Sequence, residues 1–223
     1  MIWGILAIGV YITYKVLDFA DLTVDGSLAT GGAVAVMCML NGANTYVALI
    51  LAFLAGMLAG LVTGLFHTAL GIPPILAGIL TQLGLYSINM RIMGKANQAI
   101  SVMQYDVLVS LRYIPHACLL TTGFCIVIIA LLYWFFGTEI GASVRATGCN
   151  PNMARAQGIN TNATKVLGLV ISNGLVGLAG ALYAQYQGSA DINMGRGAIV
   201  IGLAAVIIGE VLGEAIFRKH LNF

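Results

Sequence analysis

The 21 residues from Tyr46 to Phe66, YVALILAFLAGMLAGLVTGLF, contain no charged side chain. About 20 consecutive apolar residues are enough for a helix to cross a lipid bilayer. The rest of the chain has the same character, since 60% of its 223 residues are hydrophobic and only 8% are charged, against about 25% charged residues in a soluble domain. The composition therefore predicts an all-α membrane protein, a polytopic helical bundle embedded in the lipid bilayer.

A chain of this length has room for about six or seven hydrophobic segments. Polar breaks separate the apolar runs Ile2–Val16, Ser27–Leu40, Tyr46–Phe66, Ile72–Met90, Ala117–Phe136, Val166–Tyr186 and Ala198–Phe217. Of these, Ser27–Leu40 is short for a straight span and Ala198–Phe217 contains two acids, so we expect either to be broken or re-entrant. The short first run and the abrupt end predict one transmembrane domain over residues 1–223, truncated at one or both ends.

The basic residues predict how the bundle is oriented. Gly137–Thr164 holds Arg145 and Arg155 with a single acid, Glu139. Cytoplasmic loops carry an excess of Lys and Arg, so this loop is predicted to be cytoplasmic. Counting spans back from it places the N-terminus outside. The segment Arg91–Arg112 then also falls outside, although its own charge is mainly basic.

Small residues recur at helical spacing in two of the apolar runs, and such ridges let helix backbones approach closely in lipid. They are Gly56, Gly60 and Gly64 in the first, and Gly174, Gly177 and Gly180 in the second. Two interpretations are open: tight helix packing inside one subunit, or the contact face of a subunit dimer.

A short pattern occurs twice in the chain. Tyr11-x-x-Tyr14 is followed by the stretch from Ala20 to Val24, ADLTV, and Tyr183-x-x-Tyr186 is followed by ADINM. In the predicted topology the first helix runs inward and Val166–Tyr186 runs outward, so the copies would form an inverted repeat. Inverted repeats are typical of transporters, with the solute path near the repeat interface. Chance similarity between apolar stretches is the alternative.

Several classes of function are excluded by missing patterns. The chain has no G-x-x-x-x-G-K-[ST] phosphate loop, so it does not hydrolyse ATP alone. Its three histidines are scattered and its four cysteines form no Cys-x-x-Cys pair, which predicts no metal site and no catalytic residue. A net charge of +2 without a basic stripe argues against nucleic-acid binding. We expect no cofactor bound by this chain itself.

Acids next to or inside apolar segments deserve a functional interpretation, because a charge within a bilayer is costly and usually faces a cavity or a partner. The residues concerned are Asp18, Asp21, Asp25, Glu210 and Glu214. For Asp21 and Asp25 an equally good interpretation is that they complement the dipole at the start of a helix.

The most specific stretch is the predicted cytoplasmic loop from Gly141 to Ile159, GASVRATGCNPNMARAQGI. It contains a short helix-compatible piece, Asn152–Gln157, with Asn150 and Pro151 at its start and Gly158 at its end. The pattern G-x-x-x-R-A-x-G-x-N-x-x-x-A-x-x-x-G-I resembles the permease subunits of ATP-binding-cassette importers of the branched-chain amino acid and ribose type. Leu17–Ser27 and Gly71–Thr81 resemble the branch assigned to tryptophan or tyrosine uptake.

The resemblance implies a multi-pass subunit of the cell membrane that imports a small solute, such as an aromatic or other amino acid. Its implied partners are cytoplasmic ATPase subunits, which bind the ATP, a second permease subunit in a homodimer or heterodimer, and an extracytoplasmic substrate-binding protein. The implied coupling residues that dock on the ATPase are Gly141, Arg145, Ala146, Gly148, Asn150, Ala154, Arg155, Gly158 and Ile159. Together with the repeat, the resemblance predicts a translocation path lined by Asp21, Thr23, Asp25, Ser27, Thr81, Tyr86, Asp191 and Asn193.

An ion-coupled secondary transporter is the alternative function. Such a carrier uses intramembrane acids whose protonation or sodium binding drives transport. Asp25, Glu210 and Glu214 would serve in that role. The energy source separates the two functions, since a secondary transporter works without ATPase partners.

Overall fold

The computed structural model describes residues 1–100 and 114–217. In chain order the elements of these residues are α1 (Ile2–Tyr11), continued by a π-helical turn (Ile12–Val16), α2 (Thr23–Leu40), α3 (Thr45–Thr68), α4 (Pro74–Met93), β1 (Asn97–Ala99), α5 (Ile114–Gly137), α6 (Glu139–Cys149), α7 (Pro151–Ala156), α8 (Thr161–Gln187), β2 (Ser189–Asp191) and α9 (Ala198–Phe217). All seven predicted apolar segments coincide with helices. The fold class predicted from composition is therefore confirmed.

Five of the described helices are long and apolar enough to cross a membrane. They are α2, α3, α4, α8 and the Cys118–Gly137 part of α5. Two shorter apolar helices, Ile2–Val16 and Ala198–Gly213, complete the bundle. Most of α2 and α8 is buried inside the chain, whereas α5 is almost entirely exposed, so α2 and α8 form the centre.

The glycine ridges pack helices of this chain against one another. A Cβ on Gly56 or Gly60 of α3 would overlap the carbonyl oxygen of Asn173 or Leu169 on α8. On α2, a Cβ on Gly31 would overlap the backbone of Gly177. The interpretation as packing inside one subunit is confirmed, and a dimer face at these glycines is wrong because α8 already occupies the ridge.

The bundle has two distinct ends. At one end, which we call the hairpin end, α6 and α7 lie beside the start of α8, where Lys165 Nζ is 3.3 Å from His67 Nε2 at the end of α3. At the other, the ribbon end, β1 pairs antiparallel with β2, with Asn97 opposite Asp191. The ends of α4 and α8 are thus at the opposite end from the predicted cytoplasmic loop, in agreement with the predicted topology.

Neither segment suspected of being broken is interrupted. Ser27–Leu40 belongs to the 18-residue helix α2, which begins four residues earlier at Thr23. Ala198–Phe217 is a continuous 20-residue helix. Both segments are therefore continuous helices, and the non-helical stretch lies before α2, in residues 17–22. This connection ends inside the bundle, since Ser27 in the second turn of α2 bonds to Asn173, 12 residues into α8.

The two copies of the repeated pattern run in opposite directions. Trp3 of α1 stacks edge-on against Tyr183 of α8, with ring centroids 5.5 Å apart, while Ser172 near the start of α8 donates to the carbonyl of Gly9. In each copy the aspartate accepts a hydrogen bond from the backbone N–H two residues later, at 2.9 Å for Asp21 and 2.7 Å for Asp191. A helix follows in both cases, which supports an inverted repeat.

Candidate functional site

The predicted cytoplasmic loop is a helical hairpin. The sequence predicted a helix only at Asn152–Gln157, but Glu139–Cys149 is also helical, so the expectation of a loop is wrong there. Thr138 caps α6 by accepting a hydrogen bond from Gly141 N at 3.3 Å. Asn150 caps α7 by accepting from Asn152 N and Met153 N, both at 3.1 Å. Asparagine and threonine at these positions satisfy backbone N–H groups that a helix start leaves free.

Three of the nine predicted coupling residues fasten the hairpin to the bundle. A Cβ on Gly141 would overlap the backbone of Phe135 in α5, and one on Gly148 would overlap the carbonyl oxygen of Val16 after α1. Ala154 is buried, with 2% of its surface exposed. The hairpin therefore packs directly against the ends of α1 and α5.

A hydroxyl pair joins the hairpin to the central helix. Thr147 Oγ1 of α6 is 2.8 Å from Thr164 Oγ1 of α8, and both side chains are buried. Gly158 stops α7 with a φ of +83°, and Ile159 N donates to Ala154 O at 3.0 Å. The hairpin is thus joined to α8 both through the chain and through this hydrogen bond.

The surface of the hairpin carries the groups that can reach a partner. Arg145 and Arg155 are exposed and Ala146 is half-buried. Arg155 Nε donates to Thr161 Oγ1 at 2.8 Å, which fixes its side chain. Met153 is 59% exposed, and sequence reasoning missed it, although an apolar residue at the centre of a short polar helix is a detectable signal.

A second feature is a buried polar cluster formed by Asp21, Thr23, Ser27, Thr63, Thr81 and Asn173, none more than 5% exposed. The carboxylate of Asp21 accepts from Thr23 N at 2.9 Å and from Asn173 Nδ2 at 2.6 Å. The amide oxygen of Asn173 accepts from Ser27 Oγ at 2.5 Å. Both oxygens of this buried carboxyl group are therefore hydrogen-bonded, as polar groups removed from water require.

Three threonines extend the cluster across three helices. Thr23 Oγ1 is 2.7 Å from Thr63 Oγ1, which is 2.9 Å from Thr81 Oγ1. Thr81 Oγ1 in turn donates to the carbonyl of Ala77 at 3.0 Å. Because the members come from α2, α3, α4 and α8, the cluster ties these four helices together.

The cluster brings together four of the predicted path residues, Asp21, Thr23, Ser27 and Thr81, and buries them between helices. Sequence reasoning missed the two residues that connect them, Thr63 and Asn173. A lone asparagine in the middle of an apolar run was the available signal for Asn173, because polar groups in a membrane helix usually have a partner on a neighbouring helix. Thr63 gave no such signal, since threonine is common in membrane helices.

The other four predicted path residues lie apart from this cluster. Asp25 accepts from Gly197 N at 3.0 Å and Ile199 N at 2.9 Å, and so caps α9. Tyr86 is exposed on α4. Asp191 is at the ribbon end, where it accepts from Asn97 Nδ2 at 3.4 Å, and Asn193 beside it is exposed. A path lined by all eight residues remains a prediction.

Comparison with known proteins identifies relatives along almost the whole chain. The family model described as "Branched-chain amino acid transport system / permease component" matches residues 1–216. A tyrosine transport system permease protein of Clostridioides difficile (strain R20291) is 43% identical over 212 residues, which cover 95% of this chain and 70% of that protein. An uncharacterized protein of Rickettsia prowazekii (strain Madrid E) is 37% identical over 220 residues, covering 97% and 75%.

A more distant relative belongs to another import system. The autoinducer 2 import system permease protein LsrC of Yersinia pseudotuberculosis (serotype O:1b, strain IP 31758) is 29% identical over 215 residues, which cover 93% of this chain and 58% of that protein. No solved structure matches the chain.

Proposed function

We propose a coupling role for the hairpin of this chain, which belongs to the family of permease components of branched-chain amino acid transport systems. The chain is the membrane-embedded subunit of an ATP-binding-cassette importer, it lies in the plasma membrane with several crossings, and it is not an enzyme. Partner ATPase subunits bind the nucleotide, and a substrate-binding protein delivers the solute. Residues 1–223 act as one permease domain in this proposal.

The observation that carries the proposal is that the hairpin is fastened on one side and exposed on the other. Gly141, Gly148 and Ala154 pack against the bundle, while Arg145 and Met153 are exposed. Methionine and arginine are both enriched at protein interfaces, and arginine is common among the residues that dominate binding. We assign this surface to the ATPase subunit, which places the hairpin end in the cytoplasm, as the positive-inside rule predicts.

In this proposal, transport results from rigid-body motion of the helices in the bundle. Closure of the ATPase subunits pushes the hairpin, and the contacts of Gly148 with Val16 and of Thr147 with Thr164 pass the push to α1 and α8. The buried polar cluster carries α2, α3 and α4 along with α8. Alternating access then requires only that the bundle has two packings of similar energy.

The proposed solute is an amino acid, with tyrosine as the first to test. This assignment rests on the 43% identity to a tyrosine transport system permease. The second permease subunit is proposed to be another copy of this chain, since closed twofold dimers are the commonest oligomers. Copurification of two differently tagged copies would test that assignment.

Most of the acids proposed for an ion-coupled carrier have structural partners in this chain. Both carboxylate oxygens of Asp25 accept hydrogen bonds from the start of α9. Glu210 forms an ion pair with Lys15 of the turn after α1. Two of its three acids therefore have structural partners, and family membership favours ATP as the energy source.

The coupling role is tested by copurification from detergent-solubilised membranes, with an affinity tag on the N-terminus at the ribbon end. The wild-type permease is expected to retain its ATPase subunit, and Arg145→Glu is expected to lose it, because the substitution reverses the charge on the docking surface. The matched control is Arg196→Glu, which reverses the charge of an exposed arginine in the connection between β2 and α9.

The permease must remain inserted in the membrane in both variants. Equal recovery of the ATPase subunit with Arg145→Glu and with wild type would contradict the coupling role. Loss with both arginine variants would also contradict it, since the effect would then be independent of the hairpin.

A further inference from the structure

Two buried amide side chains stand apart from the otherwise satisfied polar groups of the interior. Gln185 of α8 and Asn89 of α4 are each 1% exposed. Neither amide atom of Gln185 has a hydrogen-bond partner within the described part of the chain, and the same holds for Oδ1 of Asn89. Among the described residues these are the buried side-chain polar atoms that lack a partner.

Both amides lie toward the ribbon end, on the buried faces of two different helices. Asn89 comes one helical turn before Met93, and Gln185 comes one helical turn after Ala181. Met93 and Ala181 belong to two different hydrophobic clusters, both of which include residues of α2. The amides are therefore placed where solute delivered at the ribbon end would first meet the interior of the bundle.

An unpartnered amide in such surroundings is costly, because it has given up its hydrogen bonds to water and received none in return. The contrast with Asn173 is direct, since that amide donates to Asp21 and accepts from Ser27. Nearly all buried polar groups in folded proteins have a partner, so an exception needs a reason. In a transporter the reason can be a second packing of the bundle in which these groups are exposed to solute.

We propose that Gln185 and Asn89 bind the amino-acid moiety of the solute when the bundle opens at the ribbon end. A primary amide has an NH₂ group that donates to a carboxylate and an oxygen that accepts from an ammonium group. A zwitterionic amino acid offers both. This inference rests on the proposed function and extends it, because it names residues outside the path that the sequence predicted.

Replacement of Gln185 by a residue of nearly equal shape distinguishes solute binding from a structural role of this side chain. Methionine has nearly the volume of glutamine and fits apolar surroundings, so Gln185→Met removes an unsatisfied group without leaving a cavity. We expect the thermal unfolding temperature of the variant in detergent to be unchanged or higher. We also expect the maximal rate of L-tyrosine uptake with saturating binding protein to fall about tenfold, the equivalent of one lost hydrogen bond, with little change in the KM, which the binding protein sets.

The matched control is Gln187→Met, the same chemical change two residues along α8 at an exposed position. It is expected to leave the maximal rate unchanged. Asn89→Leu is a second test on another helix and is expected to lower the maximal rate in the same way.

The outcomes separate this inference from the proposed function. A wild-type maximal rate in Gln185→Met would overturn the inference while leaving the transport function intact. A clearly lower unfolding temperature would overturn it too, because the amide would then have a structural partner such as a buried water. Failure of the wild-type importer to take up any amino acid would refute the proposed function, and with it the assigned ligand.

Discussion

At the scale of single residues, Asp25 illustrates how an acid inside a membrane segment can serve the backbone. It lies in the first turn of α2 and accepts hydrogen bonds from Gly197 N and Ile199 N at the start of α9. A carboxylate at a helix N-terminus satisfies free N–H groups and complements the helix dipole. Its partner helix follows the second occurrence of the repeated pattern, so Asp25 joins the two regions that carry the pattern.

This contact predicts different effects for two substitutions of Asp25. Asp25→Ala removes the cap and should lower the free energy of unfolding by about 1 kcal/mol, with about 2 kcal/mol as the upper end for such caps. Asp25→Asn keeps an acceptor oxygen and should retain most of the stability and the uptake. Thermal unfolding in detergent and uptake in cells measure the two effects. If Asp25→Asn abolished uptake in a stable protein, the carboxylate would be needed for its charge.

The contacts of single residues were also the features that the sequence predicted least well. Asp21 and Asp25 were identified as unusual, and a role at a helix start was one of the two interpretations. Their partners Asn173 and Gly197 are about 150 to 170 residues away, a separation that no local pattern encodes. Gln185 gave no signal, because an unpartnered amide is defined only by the packing around it.

At the scale of elements, glycines let α3 approach α8 closely. The glycines of α3 face the backbone of α8 at Asn173, Leu169 and Val166 in turn, which is an antiparallel register maintained over two helical turns. In lipid such close approaches supply much of the association between helices. A methyl group inserted there must push the helices apart.

Two glycine substitutions test this packing. Gly60→Ala places a Cβ against Leu169 O and should destabilise the bundle by about 1–3 kcal/mol, the usual cost of overpacking. Gly84→Ala in α4 is the control, since a Cβ there meets no atom within 4 Å, and alanine is intrinsically better than glycine in a helix. Comparison of unfolding temperatures measures the difference. Equal losses in both variants would contradict the assigned packing.

Helices were predictable because apolar runs of spanning length are unambiguous, and glycine spacing correctly indicated contacts within the subunit. The hairpin was predictable only in part. Its sequence from Gly141 to Cys149 mixes glycine, serine and threonine, all weak helix formers, yet it forms α6. The reason is tertiary: the Thr138 cap, the burial of Val144 and the Thr147–Thr164 hydrogen bond supply what propensity lacks.

At the scale of the whole molecule, the two ends of the bundle should be on opposite sides of the membrane. Cys149 is exposed at the hairpin end and Lys95 is exposed just before β1 at the ribbon end. In a variant that keeps Cys149 as its only cysteine, a membrane-impermeant thiol reagent should label inverted vesicles and not intact cells. A cysteine-free variant carrying Lys95→Cys should show the reverse. Labelling of both from one side would contradict the topology.

The central claim is that ATP hydrolysis by a docked partner drives solute through this bundle. Its most direct test is L-tyrosine uptake into proteoliposomes that contain the permease with its ATPase subunits, with ATP enclosed and the binding protein outside. The account predicts uptake that requires enclosed ATP, persists with a protonophore and is lost with Arg145→Glu. Uptake that proceeds without ATP and collapses when the protonophore is added would contradict it.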